Sequence, residues 1–125
     1  MAGNGDAGTA AAGLRRIELC DLAEVPPGTL KLVELESEGE LVLVVNLNGR
    51  IHATQGVCSH QYFELDQGFL TGDSITCALH LSRFDLETGE PLDPPAELPL
   101  TVYRVAVEGG RISIEVPEGP LEVNR

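Results

Sequence analysis

Residues 40–54 read ELVLVVNLNGRIHAT, two apolar runs of strand length on either side of Asn48-Gly49. Asn-Gly readily takes the two positive-φ positions of a tight hairpin turn, so the stretch predicts a β-hairpin joining Leu41–Leu47 to the strand that begins at Ile51. Working outward, segments of the same kind recur at Arg16–Cys20, Thr29–Leu35, Glu40–Leu47, Arg50–Thr54, Ser74–Cys77, Arg83–Leu86, Thr101–Val107 and Arg111–Val116. Between them stand Pro26-Pro27-Gly28, Glu38-Gly39, Thr71-Gly72-Asp73, Thr88-Gly89 and Gly109-Gly110, which are turn chemistry. No helical stripe exceeds about two turns. Short strands at close spacing predict an all-β fold, an antiparallel sandwich or barrel.

The 125 residues suit one domain. With two Tyr, three Phe and no Trp, its core must be built from Val, Leu and Ile, which again favours strands. Residues 1–13 are small and polar without apolar periodicity and read as a flexible tail, with the domain proper spanning 14–125. Twenty acidic residues face eight basic ones, a net charge of −12, so nucleic acid and anionic membranes are excluded as partners and a basic protein surface is favoured. Between Cys58 and Glu97 lie Glu64, Asp66, Asp73, Asp85, Glu87, Glu90, Asp93 and Glu97, opposed by Arg83 alone. Three Cys cannot all pair, which argues against a secreted disulfide scaffold and for the cytoplasm. No apolar run approaches the roughly 20 residues of a membrane span. Arg15-Arg16 is followed by Ile17-Glu18-Leu19-Cys20-Asp21 rather than an apolar export segment.

One stretch breaks the strand rhythm. Gly56–Gly72 has no steady alternation and reads as a structured loop, the kind of element that carries function on a β scaffold. It holds Cys58-x-His60, and after sixteen intervening residues comes Cys77-x2-His80. Each pair is one soft thiolate and one imidazole. Such a set suits a [2Fe–2S] cluster with both Cys on one iron and both His on the other, each loop giving one ligand to each metal. It also suits one tetrahedral zinc ion, the less favoured reading, and ligand identity alone leaves both open. Two ferric irons, two sulfides and two thiolates cancel to zero charge, so an electron is added more easily than to a four-thiolate dianion. That places the reduction potential within roughly −150 to +300 mV rather than near −400 mV. Cys20 reads as a buried apolar thiol, and His52 as a strand side chain facing solvent or a neighbour.

Gly56-x-Cys58-Ser59-His60, Leu65, Gly68-x-Leu70-x-Gly72-Asp73, Ile75-x-Cys77-x-Leu79-His80, Phe84-x-Leu86-x-Thr88-Gly89 and Pro94-Pro95 match, in order and spacing, the motifs of Rieske domains. The resemblance covers about residues 17–116 and implies a Rieske fold, in which an antiparallel β base carries a cluster-binding subdomain of two loops, here about 56–90. It implies Cys58, His60, Cys77 and His80 as ligands of one Rieske [2Fe–2S] cluster. Cytochrome bc1-type relatives pin the loops with a disulfide whose positions are occupied here by Phe63 and Leu79. Of their two hydroxyls beside the cluster, Ser82 matches one and Phe84 replaces the other, which lowers the potential. Many relatives have Gly where this chain has Leu81. The resemblance is greatest to the soluble ferredoxins of bacterial aromatic-ring-hydroxylating dioxygenases, those of carbazole dioxygenase systems among them. They are monomeric carriers rather than enzymes, set between a flavin-containing ferredoxin reductase and a terminal Rieske oxygenase. The alternative is the small subunit of a cytoplasmic nitrite reductase. For docking, Tyr62, Phe63, Leu81, Pro94 and Pro95 are the expected apolar contacts.

Overall fold

The computed structural model describes residues 13–94 and 96–125. Nine strands form: β1 (Leu14–Asp21), β2 (Leu30–Leu35), β3 (Glu40–Leu47), β4 (Arg50–Gln55), β5 (Phe69–Thr71), β6 (Ser74–Thr76), β7 (Arg83–Asp85), β8 (Val102–Glu108) and β9 (Arg111–Pro117). All eight expected strands are present, with ends shifted by a residue or two. The expected tail falls outside the described residues except for Gly13.

The hairpin of residues 40–54 closes as its sequence demands. Leu47 pairs with Arg50, and Asn48 and Gly49 sit at φ 52° and 95°, both in the left-handed region. Six strands assemble in the order β1-β9-β8-β4-β3-β2, every pair antiparallel. The end strands β1 and β2 touch, and Ile17, Leu19 and Val33 pack on one apolar cluster, so the sheet curls nearly shut. Curling removes much of the liability of two open edges. Helix among the described residues is confined to two three-residue 3-10 turns, Leu22–Glu24 and Leu65–Gln67.

A second, three-stranded sheet, β5-β6-β7, lies beside the first. Leu43 and Val45 of the large sheet meet Leu65, Ile75, Phe84 and Leu86 of the small-sheet region in one buried cluster, which Cys58 and Cys77 also join. This seam core binds the two sheets together. β5 and the Leu65 turn lie inside the stretch expected to be a loop. β5 has only three residues, exposed at Phe69 and Thr71, and exists because β6 offers it a pairing edge; too short to show alternation, it leaves no periodic trace.

Gln55 ties several segments to the seam. Fully buried, its amide nitrogen donates to the carbonyls of Val57 (2.9 Å) and Asn124 (2.6 Å), and its oxygen accepts from the amides of Thr101 (2.8 Å) and Asn124 (3.0 Å). One side chain thus fixes the C-terminal segment, the approach to β8 and the residue preceding Cys58. Replacing Gln55 with Leu leaves buried amides and carbonyls without partners, each costing about 1–3 kcal/mol. The expected result is a loss of about 3 kcal/mol or more, read as a lower denaturant midpoint.

Candidate metal centre

Two loops with the same closure project from the seam. In the first, the Cys58 amide donates to the Phe63 carbonyl (2.9 Å), backed by a β-bridge between Val57 and Glu64. In the second, the Cys77 amide donates to the Ser82 carbonyl (2.9 Å), and the Leu81 amide donates back to Cys77 (2.8 Å). Each Cys closes its loop at the floor, five residues before its partner, while the His two or three positions on sits at the tip.

Burial follows that layout. Cys58 and Cys77 are each 2% exposed, whereas His60 and His80 are both exposed. The His rings face each other edge to face, with centroids 5.1 Å apart at 73°. Below them the thiols are free and neighbouring. Burial pushes the Cys77 thiol up; the amides of Leu79 and His80 pull it back toward thiolate, and nearby Cys58 adds to the rise. The four donors therefore separate into a buried thiol pair and an outer imidazole pair. Among the described residues no three His, Cys, Asp or Glu side chains gather around a point suited to one ion. A buried thiol pair beneath an exposed imidazole pair fits a two-metal group with unlike ends.

The other expected site residues scatter. Ser82 is buried with its hydroxyl oxygen 3.4 Å from the Ala96 amide, and Phe84 is wholly buried in the seam core. Phe63 packs half-buried against that core rather than standing free. Tyr62 is strongly exposed, but lines a cleft with Glu34, Glu36, Glu40 and Glu64 beside the β2–β3 turn. Pro94 is exposed; Pro95 lies outside the described residues. His52 is buried at 9% exposure, not facing solvent, and burial pushes its pKa down. Cys20 is buried as expected, and burial raises its thiol. Several acidic residues of the segment are engaged: Asp93 with Arg83, Glu87 with Arg50, and Asp85 with the amides of Glu87 and Thr88.

Three features were not anticipated from sequence: the Gln55 hub, the bond from the Ser59 hydroxyl to the Leu98 carbonyl (2.5 Å), and the backbone of Leu81. Leu81, next to His80, has φ 62° with its side chain 62% exposed. A left-handed non-glycine residue costs about 1–2 kcal/mol, and an exposed side chain recovers little of it by packing.

The family model of the Rieske [2Fe-2S] domain matches residues 15–104. The 3-phenylpropionate/cinnamic acid dioxygenase ferredoxin subunit of Escherichia coli strain K12 is 37% identical over 106 residues, 84% of this chain and 97% of that one. Among solved structures, the Sphingomonas yanoikuyae B1 ferredoxin superposes with a TM-score of 0.77 at 30% identity, covering 82% of this chain and all of that one. The ferredoxin of carbazole 1,9a-dioxygenase from Nocardioides aromaticivorans IC177 gives 0.73 at 31% identity, covering 82% and 98%.

Strain at Leu81 is directly measurable. Replacing Leu81 with Gly relieves the left-handed conformation while adding freedom to the unfolded chain. The expected balance is a gain of about 0.5–1 kcal/mol by chemical denaturation; a clear loss would show that the Leu81 side chain packs more tightly than its exposure indicates.

Proposed function

The chain belongs to the Rieske [2Fe–2S] domain family, and on that premise we propose that it passes single electrons from a flavin-containing ferredoxin reductase to a terminal Rieske oxygenase. Its relatives are ferredoxin subunits, electron carriers of dioxygenase systems and not enzymes, and it holds one Rieske cluster as they do. Cys58 and Cys77 ligate the inner iron and His60 and His80 the outer one. The observation that carries this assignment is the split of the four donors into a buried thiol pair and an exposed imidazole pair.

When bound, the cluster supplies reversible one-electron reduction at modest potential. Everything else is the work of the chain. Buried Cys58 and Cys77 keep water from the thiolate end, and the amides of Leu79 and His80 favour negative charge on the Cys77 sulfur. His60 and His80 present their rings at the surface, which shortens the distance to a docked partner's redox centre. Leu81, strained and exposed beside His80, offers that partner an apolar contact, with Leu79 adding to it. Glu64, Asp73, Glu90 and Glu97 form no ion pair among the described residues and leave a net negative field for a basic partner surface. No helix among the described residues is long and apolar enough to cross a membrane.

Two experiments bear on these proposals. Because each iron needs both of its protein ligands, His60→Ala and Cys77→Ala should each purify without stoichiometric iron and acid-labile sulfide, while Cys20→Ala keeps both. A full cluster surviving the loss of Cys77 would remove that residue from the ligand set. Steering by charge weakens as the Debye length falls from about 10 Å at 0.1 M salt to about 3 Å at 1 M. Stopped-flow electron transfer from the reductase should therefore slow across that range, and a rate indifferent to salt would reduce the acidic surface to a matter of solubility.

A further inference from the structure

The three cysteines of the chain are distributed unequally in the fold. Cys58 and Cys77 close the floors of the two cluster loops, pack in one buried cluster with Leu65, Ile75 and Phe84, and touch each other as hydrogen-bond partners. Cys20 is buried apart from them, among Val25, Val44 and Ile112. Cys58 and Cys77 are thus the one pair of cysteines placed to bond with each other. Contact between two thiols has a chemical consequence that contact of a thiol with any other side chain lacks. An oxidant that reaches one sulfur leaves it open to attack by the second, whereas a thiol without such a neighbour climbs toward sulfinic and sulfonic acids.

We propose that Cys58 and Cys77 form a redox-modification site: in the chain without its cluster, hydrogen peroxide converts the pair to a disulfide, which bars cluster insertion until a dithiol reduces it. The inference rests on the cluster reading above. One sulfur, as thiolate, attacks a peroxide oxygen; the O–O bond breaks, hydroxide leaves with the first thiol's proton as water, and that sulfur becomes a sulfenic acid. The other sulfur attacks it, the S–S bond forms as the S–O bond breaks, and the departing hydroxide takes the second thiol's proton as water. In total two thiols and one hydrogen peroxide give one disulfide and two waters, the two electrons lost by sulfur being gained by oxygen. Burial sets the size of the oxidant. Both cysteines are 2% exposed, with His60 and His80 at the tips of their loops, so hydrogen peroxide is admitted where glutathione disulfide is not. The disulfide removes both ligands of the inner iron at once, and as a reversible product it also keeps them from irreversible oxidation.

The test follows the thiols by mass rather than by electron transfer. Full chain is stripped of iron and sulfide with chelator and reductant, freed of both without air, and treated with one equivalent of hydrogen peroxide, in buffer and in urea. In buffer the intact mass should fall by two hydrogens, and proteolysis should yield a single crosslink, Cys58 to Cys77, with Cys20 still open to alkylation on denaturation. In urea, where the fold no longer selects the pair, crosslinks to Cys20 should appear as well. The oxidised chain should lose its uptake of cluster from stoichiometric ferrous iron and sulfide, and dithiothreitol should restore it in full. Cys20→Ala should behave as wild type in buffer, and Cys58→Ser should form no internal crosslink there. A mixture of crosslinks in buffer, or oxygen added without a crosslink, would overturn the proposal, as would full cluster uptake by the oxidised chain. Reduced chain that takes up no cluster would overturn the cluster reading and the gate that rests on it.

Discussion

The structure depends on an asymmetry of burial imposed by two closed loops. In each, a Cys amide bonds a carbonyl five residues on, which holds the sulfur at the floor and lifts the His to the rim. A thiolate pair in the dry interior and an imidazole pair in contact with solvent are different environments for metal. An added electron is stabilised where charge is screened and hydrogen-bonded, and reaches a partner most readily through the exposed pair. The loops could not hold this arrangement alone, being short and irregular. They hold it because the seam core, with Leu43 and Val45 on one side and Ile75, Phe84 and Leu86 on the other, locks the small sheet onto the large one directly beneath the thiols.

Polar ties complete what packing begins. Gln55 meets four backbone partners around the start of the first loop, while Leu98 bonds Ser59 in the first loop and Asp93 bonds Arg83 at the end of the second. Such bonds contribute modestly when made and cost more when one partner is lost, so they act chiefly on which arrangement is allowed. Leu81 is the exception to local consistency. An unfavourable backbone conformation is kept there at an exposed position beside His80.

Much of this was legible in the chain. Turn dipeptides delimit the strands, so Asn48-Gly49 marks a hairpin and Gly109-Gly110 and Thr71-Gly72-Asp73 mark turns without any structure, and the Cys-His spacing picked out four residues that the structure places on two neighbouring loops. β5 was not legible, because three residues carry no period and its pairing is tertiary. Phe63 could not be told from a docking residue, since an aromatic in a loop serves a core or a partner equally well until packing decides. Tyr62 likewise stands over a cleft of carboxylates, three of which lie more than twenty residues away in sequence. Ser59 and Gln55 gave no signal, because a hydroxyl or amide names its chemistry but not its partner. The left-handed backbone at Leu81 gave no signal either, because leucine ordinarily avoids that conformation.

The central claim is that the thiol pair and the imidazole pair serve two different iron ions. Mössbauer spectroscopy of the iron-57-loaded wild-type protein tests it most directly. The account predicts two iron sites of equal area with different isomer shifts, and, after one-electron reduction, a ferrous signal confined to the nitrogen-ligated site. Two indistinguishable irons, or an added electron residing on the sulfur-ligated site, would contradict it.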